Sequence, residues 1–120
     1  HCPDAIGLSA YGWDLGGSRN KGQPMHGQSK PEVVPIPFGI MVPRDAANLI
    51  CPGRAVCVER QVLGPLRVMA PIMAMGEAAG TAAAQACEHR QSFSELDTEQ
   101  LRNTLRRNGA LVDLQLEPVT

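Results

Sequence analysis

The chain has 120 residues and a formal net charge of −1, which is the size of one domain and gives no charge bias towards nucleic acid or anionic membranes. It contains 12 glycines, 10 prolines and only four aromatic residues, the residues that usually supply much of a small core's buried area. It begins at His1 without an initiator methionine or a targeting segment, so we expect a piece of a larger body, trimmed or cleaved from a longer precursor.

The N-terminal third predicts loops followed by one strand. Residues 1–32 are rich in glycine, serine and asparagine, and the run at 16–22 (GGSRNKG) is a loop by composition. The next segment, Val33–Val42, is apolar and β-branched but carries Pro35 and Pro37. Because prolines two residues apart keep their missing donors on one side, this segment is predicted to be an edge strand.

A second strand is predicted at Asn48–Pro52, a short run that suits burial on both faces, as in a parallel sheet. It ends at Gly53 and Arg54, and a loop over residues 63–70 then leads into a long helix. A strand, a loop and a glycine-bearing helix, in that order, are how an α/β fold brings backbone N–H groups to an anionic ligand.

The long helix is predicted over residues 70–88, with Pro71 in the first turn, where the missing N–H is not needed. Gly76, Gly80 and Ala84 lie four residues apart on one face, although each glycine costs up to about 1 kcal/mol relative to alanine. A helix accepts that cost where a strand, another helix or a cofactor approaches its backbone closely. The alternatives are an ordinary buried alanine-rich helix and a membrane span, and polar residues inside the window argue against the span (Glu77, Thr81 and Gln85).

The C-terminal part predicts one more helix. It starts at Asp97, has Gln100 in the position of a capping box, and stops near Gly109. The tail at 111–119 alternates loosely, which is compatible with a strand. No cysteine spacing fits a standard zinc site, and buried free thiols are the expectation for all four (Cys2, Cys51, Cys57 and Cys87).

Within the middle of the chain, three motifs resemble one known family closely. They are Gly53-Arg54 at the strand end, Arg67-Val68-Met69 in the loop, and Met75-Gly76-Glu77-Ala78-Ala79-Gly80 in the helix. With these motifs the chain resembles the C-terminal part of the FAD-dependent oxidoreductases that have a glutathione-reductase-type FAD fold. The likeness runs from about residue 36 to residue 111 and is strongest over residues 48–84.

The resemblance implies that this strand–loop–helix unit closes an FAD site. Residues 67–70 would offer backbone donors to the N1–C2=O2 edge of the flavin, with Arg67 as a nearby cation. The start of a helix carries about half a positive charge, so this arrangement favours the reduced flavin and raises its potential. The cofactor-binding residues implied in this way are Gly53, Arg54, Leu66, Arg67, Val68, Met69 and Ala70.

The chain departs from the family pattern at three places outside the FAD loop. Phe38-Gly39 stands where family members tend to have Tyr-Arg, Arg60 where they have His, and Asp14-Leu15-Gly16 where they have Asp-x-His. These positions are expected near substrate. Arg60 is therefore a candidate catalytic residue that holds a carboxylate or stabilises an oxyanion. The alternative for Arg60 is a structural ion pair with Glu59 or Asp45.

The predicted fold class is α/β, namely the C-terminal portion of a Rossmann-like FAD-binding fold together with part of a β-rich substrate domain. We expect residues 1–45 to belong to the substrate domain, 46–90 to form the C-terminal FAD-binding segment, and 91–120 to form a helix and tail. The Gly-x-Gly-x-x-Gly motif that binds the ADP half of FAD does not occur in the sequence. The fold is therefore expected to be incomplete without a larger partner chain that carries this motif.

The predicted function is that of a small subunit or processed C-terminal chain of an FAD-dependent oxidoreductase. It would close the flavin site and transfer hydride from a small organic substrate to FAD. The alternative is a non-catalytic interaction module derived from such a fold. No metal, nucleic acid or membrane is expected as a ligand or partner, and a soluble protein is expected, with the cytoplasm favoured among compartments.

Overall fold

The computed structural model describes residues 2–12 and 33–114. In these ranges the chain forms two strands and three α-helices, and the architecture is α/β, as predicted. Short 3-10 turns connect the elements at Phe38–Met41, Gly53–Ala55 and Phe93–Glu95. No helix in the described ranges is both long and apolar enough to cross a membrane. The strands and helices are β1 (Ala5–Ser9), β2 (Val34–Pro37), α1 (Arg60–Leu66), α2 (Met69–His89) and α3 (Thr98–Arg107).

The strands β1 and β2 form a two-stranded antiparallel sheet, with Leu8 opposite Pro35 and Ala5 opposite Pro37. Each strand of such a sheet is an edge, and an edge tolerates proline because one of its sides needs no donor. The predicted edge strand is therefore confirmed over β2. It is wrong beyond that point, because residues 38–41 leave the sheet as a 3-10 turn.

Helix α2 packs against β1 and comes close to it at Gly7, where an added Cβ would lie 3.2 Å from the Cβ of Ala74. Glycine in the strand thus sets the distance between helix and sheet. The glycines of the helix lie elsewhere: no described residue lies within 4 Å of a Cβ built on Gly76 or Gly80. The close approach predicted for the glycine face is therefore not made within the described part of the chain. The buried face of α2 carries Pro71, Met75, Ala78, Ala79, Ala82, Gln85 and Ala86.

The start and end of α3 confirm the prediction from sequence. The carboxylate of Asp97 accepts hydrogen bonds from the backbone N–H groups two and three residues further on, at 2.9 and 3.2 Å. Gly109 follows the helix with a φ of 90°, a left-handed conformation that favours glycine. The reciprocal capping box forms one turn earlier, between Ser92 and Glu95, and not at the start of α3.

A single hydrophobic core joins the sheet to all three helices. Met75 and Ala78 of α2 occupy its centre, and the C-terminal helix closes it from one side. Gln85 adds a polar link between α2 and α3, because its Nε2 donates to the Oγ1 of Thr104 at 3.0 Å. Among the described residues, the largest side chains that are fully buried are Ile6, Ile36, Met41, Pro65, Leu66, Met75, Leu101, Leu105 and Val112.

The strand predicted at Asn48–Pro52 is wrong. This segment forms no strand, and its backbone makes one connection, from the N–H of Cys51 to the carbonyl of Met41 at 2.8 Å. Leu49 is 50% exposed, so the run is not buried on both faces. A strand of that kind needs neighbours on both sides, and the described chain places none there. Residues 111–114 form no strand either, and the remainder of the tail lies outside the described residues.

The loop predicted over residues 63–70 is wrong in its first half, because α1 continues through Leu66. The sequence Gly64-Pro65 favours a turn, since a proline inside a helix removes one hydrogen bond. Pro65 lies in the last turn of α1, where the carbonyl that loses its partner belongs to the exposed residue Gln61. Because Gln61 is exposed, its carbonyl does not have to find a partner inside the protein, and the helix tolerates the proline. Only residues 67 and 68 separate α1 from α2.

Candidate functional site

The candidate site is the break between α1 and α2. Arg67 ends α1 with its N–H bonded to the carbonyl of Leu63 at 3.0 Å. Val68 is then extended, with φ −86° and ψ 165°, and α2 begins at the next residue. The helical conformation therefore stops and restarts within two residues. We call this break, at Arg67 and Val68, the corner from which α2 starts.

Three backbone amides at this break have no acceptor within residues 2–12 and 33–114. Val68 supplies no side-chain cap to α2, and Pro71, in the first turn, has no N–H. The first hydrogen bond of the helix runs from the N–H of Ile72 to the carbonyl of Val68, at 3.2 Å. No described residue accepts a hydrogen bond from the N–H groups of Val68, Met69 or Ala70. These amides and the dipole of a 21-residue helix form a donor set for an acceptor that gains negative charge.

The side chains around these amides leave the helix start open. Met69 is 82% exposed and Ala70 is also exposed, whereas Val68 and Arg67 are half-buried. Leu66 is completely buried in the core, so its contribution to a ligand site is limited to its backbone. The buried side chain of Leu66 thus holds the break to the core, and the exposed residues Met69 and Ala70 leave the start of α2 accessible.

The turn at Gly53–Ala55 packs against the first turn of α2. Gly53 is buried and has a φ of 78°, and a Cβ added to it would lie 3.7 Å from the Cγ2 of Ile72. Arg54 follows on the surface. The structure therefore brings the predicted residues Gly53 and Arg54 to the same end of α2 as the free amides, although the strand expected before them is not formed.

Arg60 lies apart from this cluster. It is the first residue of α1, is exposed, and lies at the opposite end of that helix from Arg67. At a rise of about 1.5 Å per residue, the two ends of α1 are separated by roughly 10 Å. Among the described residues it forms no ion pair with Glu59 or Asp45.

The departure at Phe38-Gly39 lines a surface cavity of about 490 Å³ together with Asp4 and Arg44. Phe38 is buried, and the N–H of Gly39 donates to the Oδ2 of Asp4 at 3.1 Å. The other departure, at residues 14–16, lies outside the described residues, as does the predicted loop at 16–22.

Sequence reasoning missed Ser9 as a residue of this region. Its hydroxyl is buried, ends β1, and donates to the carbonyl of Pro65 at 2.6 Å. The only local signal is a hydroxyl at the end of the apolar run from Ala5 to Leu8. That signal does not indicate a partner 56 positions away along the chain.

The four cysteines lie outside the break between α1 and α2. All four are free thiols, as predicted, but the predicted burial is wrong, because Cys57 and Cys87 are exposed and Cys2 and Cys51 are only half-buried. Burial raises the pKa of the Cys2 thiol, and its hydrogen bond to the carboxylate of Asp4 raises the pKa further. Within residues 2–12 and 33–114, no group of His, Cys, Asp and Glu is arranged to hold a metal ion.

Comparison with known proteins gives one result. The sequence model of a family described as FAD dependent oxidoreductase matches residues 1–105. No curated protein and no solved structure matches the chain. The match covers most of the chain and includes both the Gly53 turn and the break between α1 and α2.

Proposed function

The chain belongs to the FAD-dependent oxidoreductase family, and from this premise we propose that it closes the flavin end of an FAD site in a hydride-transferring enzyme. Its cofactor is FAD and its function is flavin-dependent redox chemistry. The observation that carries the proposal is the set of free amides at Val68, Met69 and Ala70, at the start of α2. We infer that the chain is the C-terminal portion of a glutathione-reductase-type FAD fold.

The donor set suits the cofactor. FAD, when bound, accepts hydride from a substrate at N5, and negative charge then develops at the N1–C2=O2 edge. The amides of Met69 and Ala70 would hold that edge by hydrogen bonds, and the dipole of α2 would favour the negative charge there. Arg67 would add a positive charge at the same corner. Gly53 and Arg54 would bind the ribityl chain and phosphate.

We also propose that a larger chain completes the site. The sequence lacks the Gly-x-Gly-x-x-Gly motif for the ADP half of FAD, so this chain alone has no means of binding the whole dinucleotide. The exposed face of α2 supports such a partner, because Gly76 and Gly80 meet no described residue. A helix face of small residues next to the exposed Met69 and Met73 offers a surface for close packing.

The test is purification of the protein from its native source through a tag on this chain. We expect visible flavin absorption, FAD released on denaturation, and a second polypeptide whose intact mass and sequence include the Gly-x-Gly-x-x-Gly motif. If the tag is found on one longer polypeptide that carries the motif, the separate partner is refuted and the flavin function remains. A colourless assembly without FAD would refute the flavin function itself.

The second candidate is a non-catalytic interaction module that keeps α2 only for packing. The open glycine face favours it as much as it favours a flavin enzyme with a partner. The two differ at the helix start, where a flavin enzyme uses the amides of α2 to bind FAD and a packing module leaves them to solvent. Recovery of the partner polypeptide without bound FAD would support this module.

A further inference from the structure

A buried hydroxyl connects the sheet to the break between the helices. Ser9 is 2% exposed and donates from Oγ to the carbonyl of Pro65 at 2.6 Å. The same Oγ accepts a hydrogen bond from the N–H of Tyr11 at 3.3 Å. A serine hydroxyl has a single proton, and Tyr11 uses the acceptor side of the oxygen. The proton is therefore committed to Pro65.

The carbonyl of Pro65 is the group that would join the two helices. In an uninterrupted α-helix it would accept a hydrogen bond from the N–H of Met69, four residues further on. Here that bond is not made, and the Pro65 carbonyl is one of the last carbonyls of α1, which need a partner outside the helix. Ser9 is that partner. The Met69 amide consequently stays without an acceptor.

We propose that Ser9 is a positioning residue of the flavin site, because it occupies the Pro65 carbonyl and so keeps the Met69 and Ala70 amides available to FAD. This inference rests on the proposed function. Without the Ser9 hydroxyl, the buried carbonyl of Pro65 has no hydrogen-bond partner, and the N–H of Met69 is the donor that would replace it. That pairing would merge α1 with α2 and consume one of the flavin donors.

The experiment compares variants of the assembled protein with its partner polypeptide. Ser9→Ala removes the hydrogen bond, and Ser9→Cys retains a side chain of similar size with only a weak donor. Ile36→Val is the matched control, since it trims a fully buried residue of the same sheet and leaves the hydroxyl of Ser9 unchanged. Each variant is measured for its melting temperature, its FAD dissociation constant, and its flavin midpoint potential.

Hydrogen exchange of the apoprotein adds a readout that needs no flavin. The amide of Met69 reports on the corner, because it has no acceptor among the described residues and gains one if it pairs with the carbonyl of Pro65. The amide of Phe38, bonded to the carbonyl of Asp4, reports on the sheet.

We expect the melting temperature to fall in all three variants. The FAD dissociation constant should rise about tenfold in the Ser9 variants, which corresponds to about 1.4 kcal/mol, and not in Ile36→Val. The midpoint potential should fall and the amide of Met69 should exchange more slowly, because it gains the Pro65 carbonyl as an acceptor, again in the Ser9 variants alone.

Two results would overturn the inference while leaving the proposed function intact. One is exchange at Met69 that is no slower in the Ser9 variants than in Ile36→Val. The other is an FAD dissociation constant and potential that match those of Ile36→Val. Wild-type protein that binds no FAD would instead refute the proposed function, and with it the flavin role of Ser9.

Discussion

At the scale of single residues, the start of α2 is defined by backbone geometry more than by side-chain chemistry. Gly53 has a φ of 78° against Ile72, a conformation that costs other residues about 1–2 kcal/mol. Val68 is extended and offers no cap, so the amides that follow have no local acceptor. The groups at this corner are therefore backbone donors, and Arg67 is the charged residue that directly precedes them in the chain.

The prediction at this scale concerns Arg67→Ala. If Arg67 lies at the flavin edge, its removal should destabilise the reduced flavin more than the oxidised flavin and lower the midpoint potential. A charge-assisted contact contributes about 1.5–3 kcal/mol, and 1.4 kcal/mol corresponds to about 30 mV for two electrons. We expect a fall of tens of millivolts in a redox titration of the assembled protein.

The control for that titration is Arg107→Ala, which removes the same charge from the exposed last residue of α3. Its midpoint potential should equal that of the wild type. An Arg67→Ala protein that loses stability but keeps the wild-type potential would show that Arg67 serves the fold and not the flavin.

At the scale of elements, α2 has two faces with different roles. One face packs Met75, Ala78 and Ala82 into the core, and Ala74 comes close to the sheet. The other face carries Gly76 and Gly80, which meet nothing among the described residues. Two glycines in an exposed helix face lower the stability of the helix by up to about 1 kcal/mol each relative to alanine. No contact with a described residue offsets this cost.

The prediction for this element is Gly80→Leu. On the contacts of this chain alone, the substitution should raise stability by up to about 1 kcal/mol, because leucine is the better helix former and meets open space. Against a closely packed partner it should cost about 1–3 kcal/mol through overpacking. We expect the dissociation constant of the two-chain assembly to rise about tenfold or more, measured by analytical ultracentrifugation.

Gln100→Leu is the matched control, since it places leucine on the exposed surface of α3, away from the glycine face. It should leave association unchanged. If Gly80→Leu also leaves association unchanged and raises the melting temperature, the glycine face is exposed to solvent in the assembled protein.

At the scale of the whole molecule, one arginine ties both ends of the described chain to the core. Arg102 is 4% exposed, and its guanidinium donates to the carbonyl of Pro3 and to the carboxylate of Asp113. Arg106 binds the other oxygen of Asp113 at 2.6 Å and Glu99 at 2.9 Å. A buried guanidinium is costly without partners, so this cluster commits the N-terminal segment, α3 and residue 113 to one arrangement.

The prediction at this scale is a pH-dependent effect of Asp113→Asn. Hydrogen bonds from Arg106, and secondly from Arg102, hold the pKa of the Asp113 carboxyl below its usual range. The folded pKa is lower than the unfolded value of about 3.9, so the stabilisation is complete above that value and is lost as pH falls through the folded pKa.

At pH 7 we expect Asp113→Asn to lower the free energy of unfolding by about 1–3 kcal/mol, because Arg102 is left with an unsatisfied donor. In urea titrations of the assembled protein, this difference in the free energy of unfolding should persist down to about pH 4 and disappear at lower pH. The control is Asp45→Asn, because the carboxyl of Asp45 has no hydrogen bond or ion pair among the described residues. The difference between its free energy of unfolding and that of the wild type should not change as the pH falls. For Asp113→Asn, a difference that is constant with pH would contradict the assignment.

The sequence alone determined the parts of the fold whose signals are local. Helix α2 follows from its helix-forming residues and Pro71, and α3 from the cap at Asp97 and the stop at Gly109. The edge strand at β2 follows from β-branched residues and prolines. The FAD family was recognised from motifs within the same local window, and the family match confirms it.

Tertiary structure alone decided the features that depend on distant partners. β1 exists because β2 pairs with it across residues far apart in the chain, and Asn48–Pro52 is no strand because no neighbour lies beside it. α1 survives Pro65 because the affected carbonyl is exposed. Above all, the break before α2 depends on the bond from Ser9 to Pro65. Local propensity is a property of neighbouring residues, whereas a hydrogen bond across 56 positions exists only once the chain has folded.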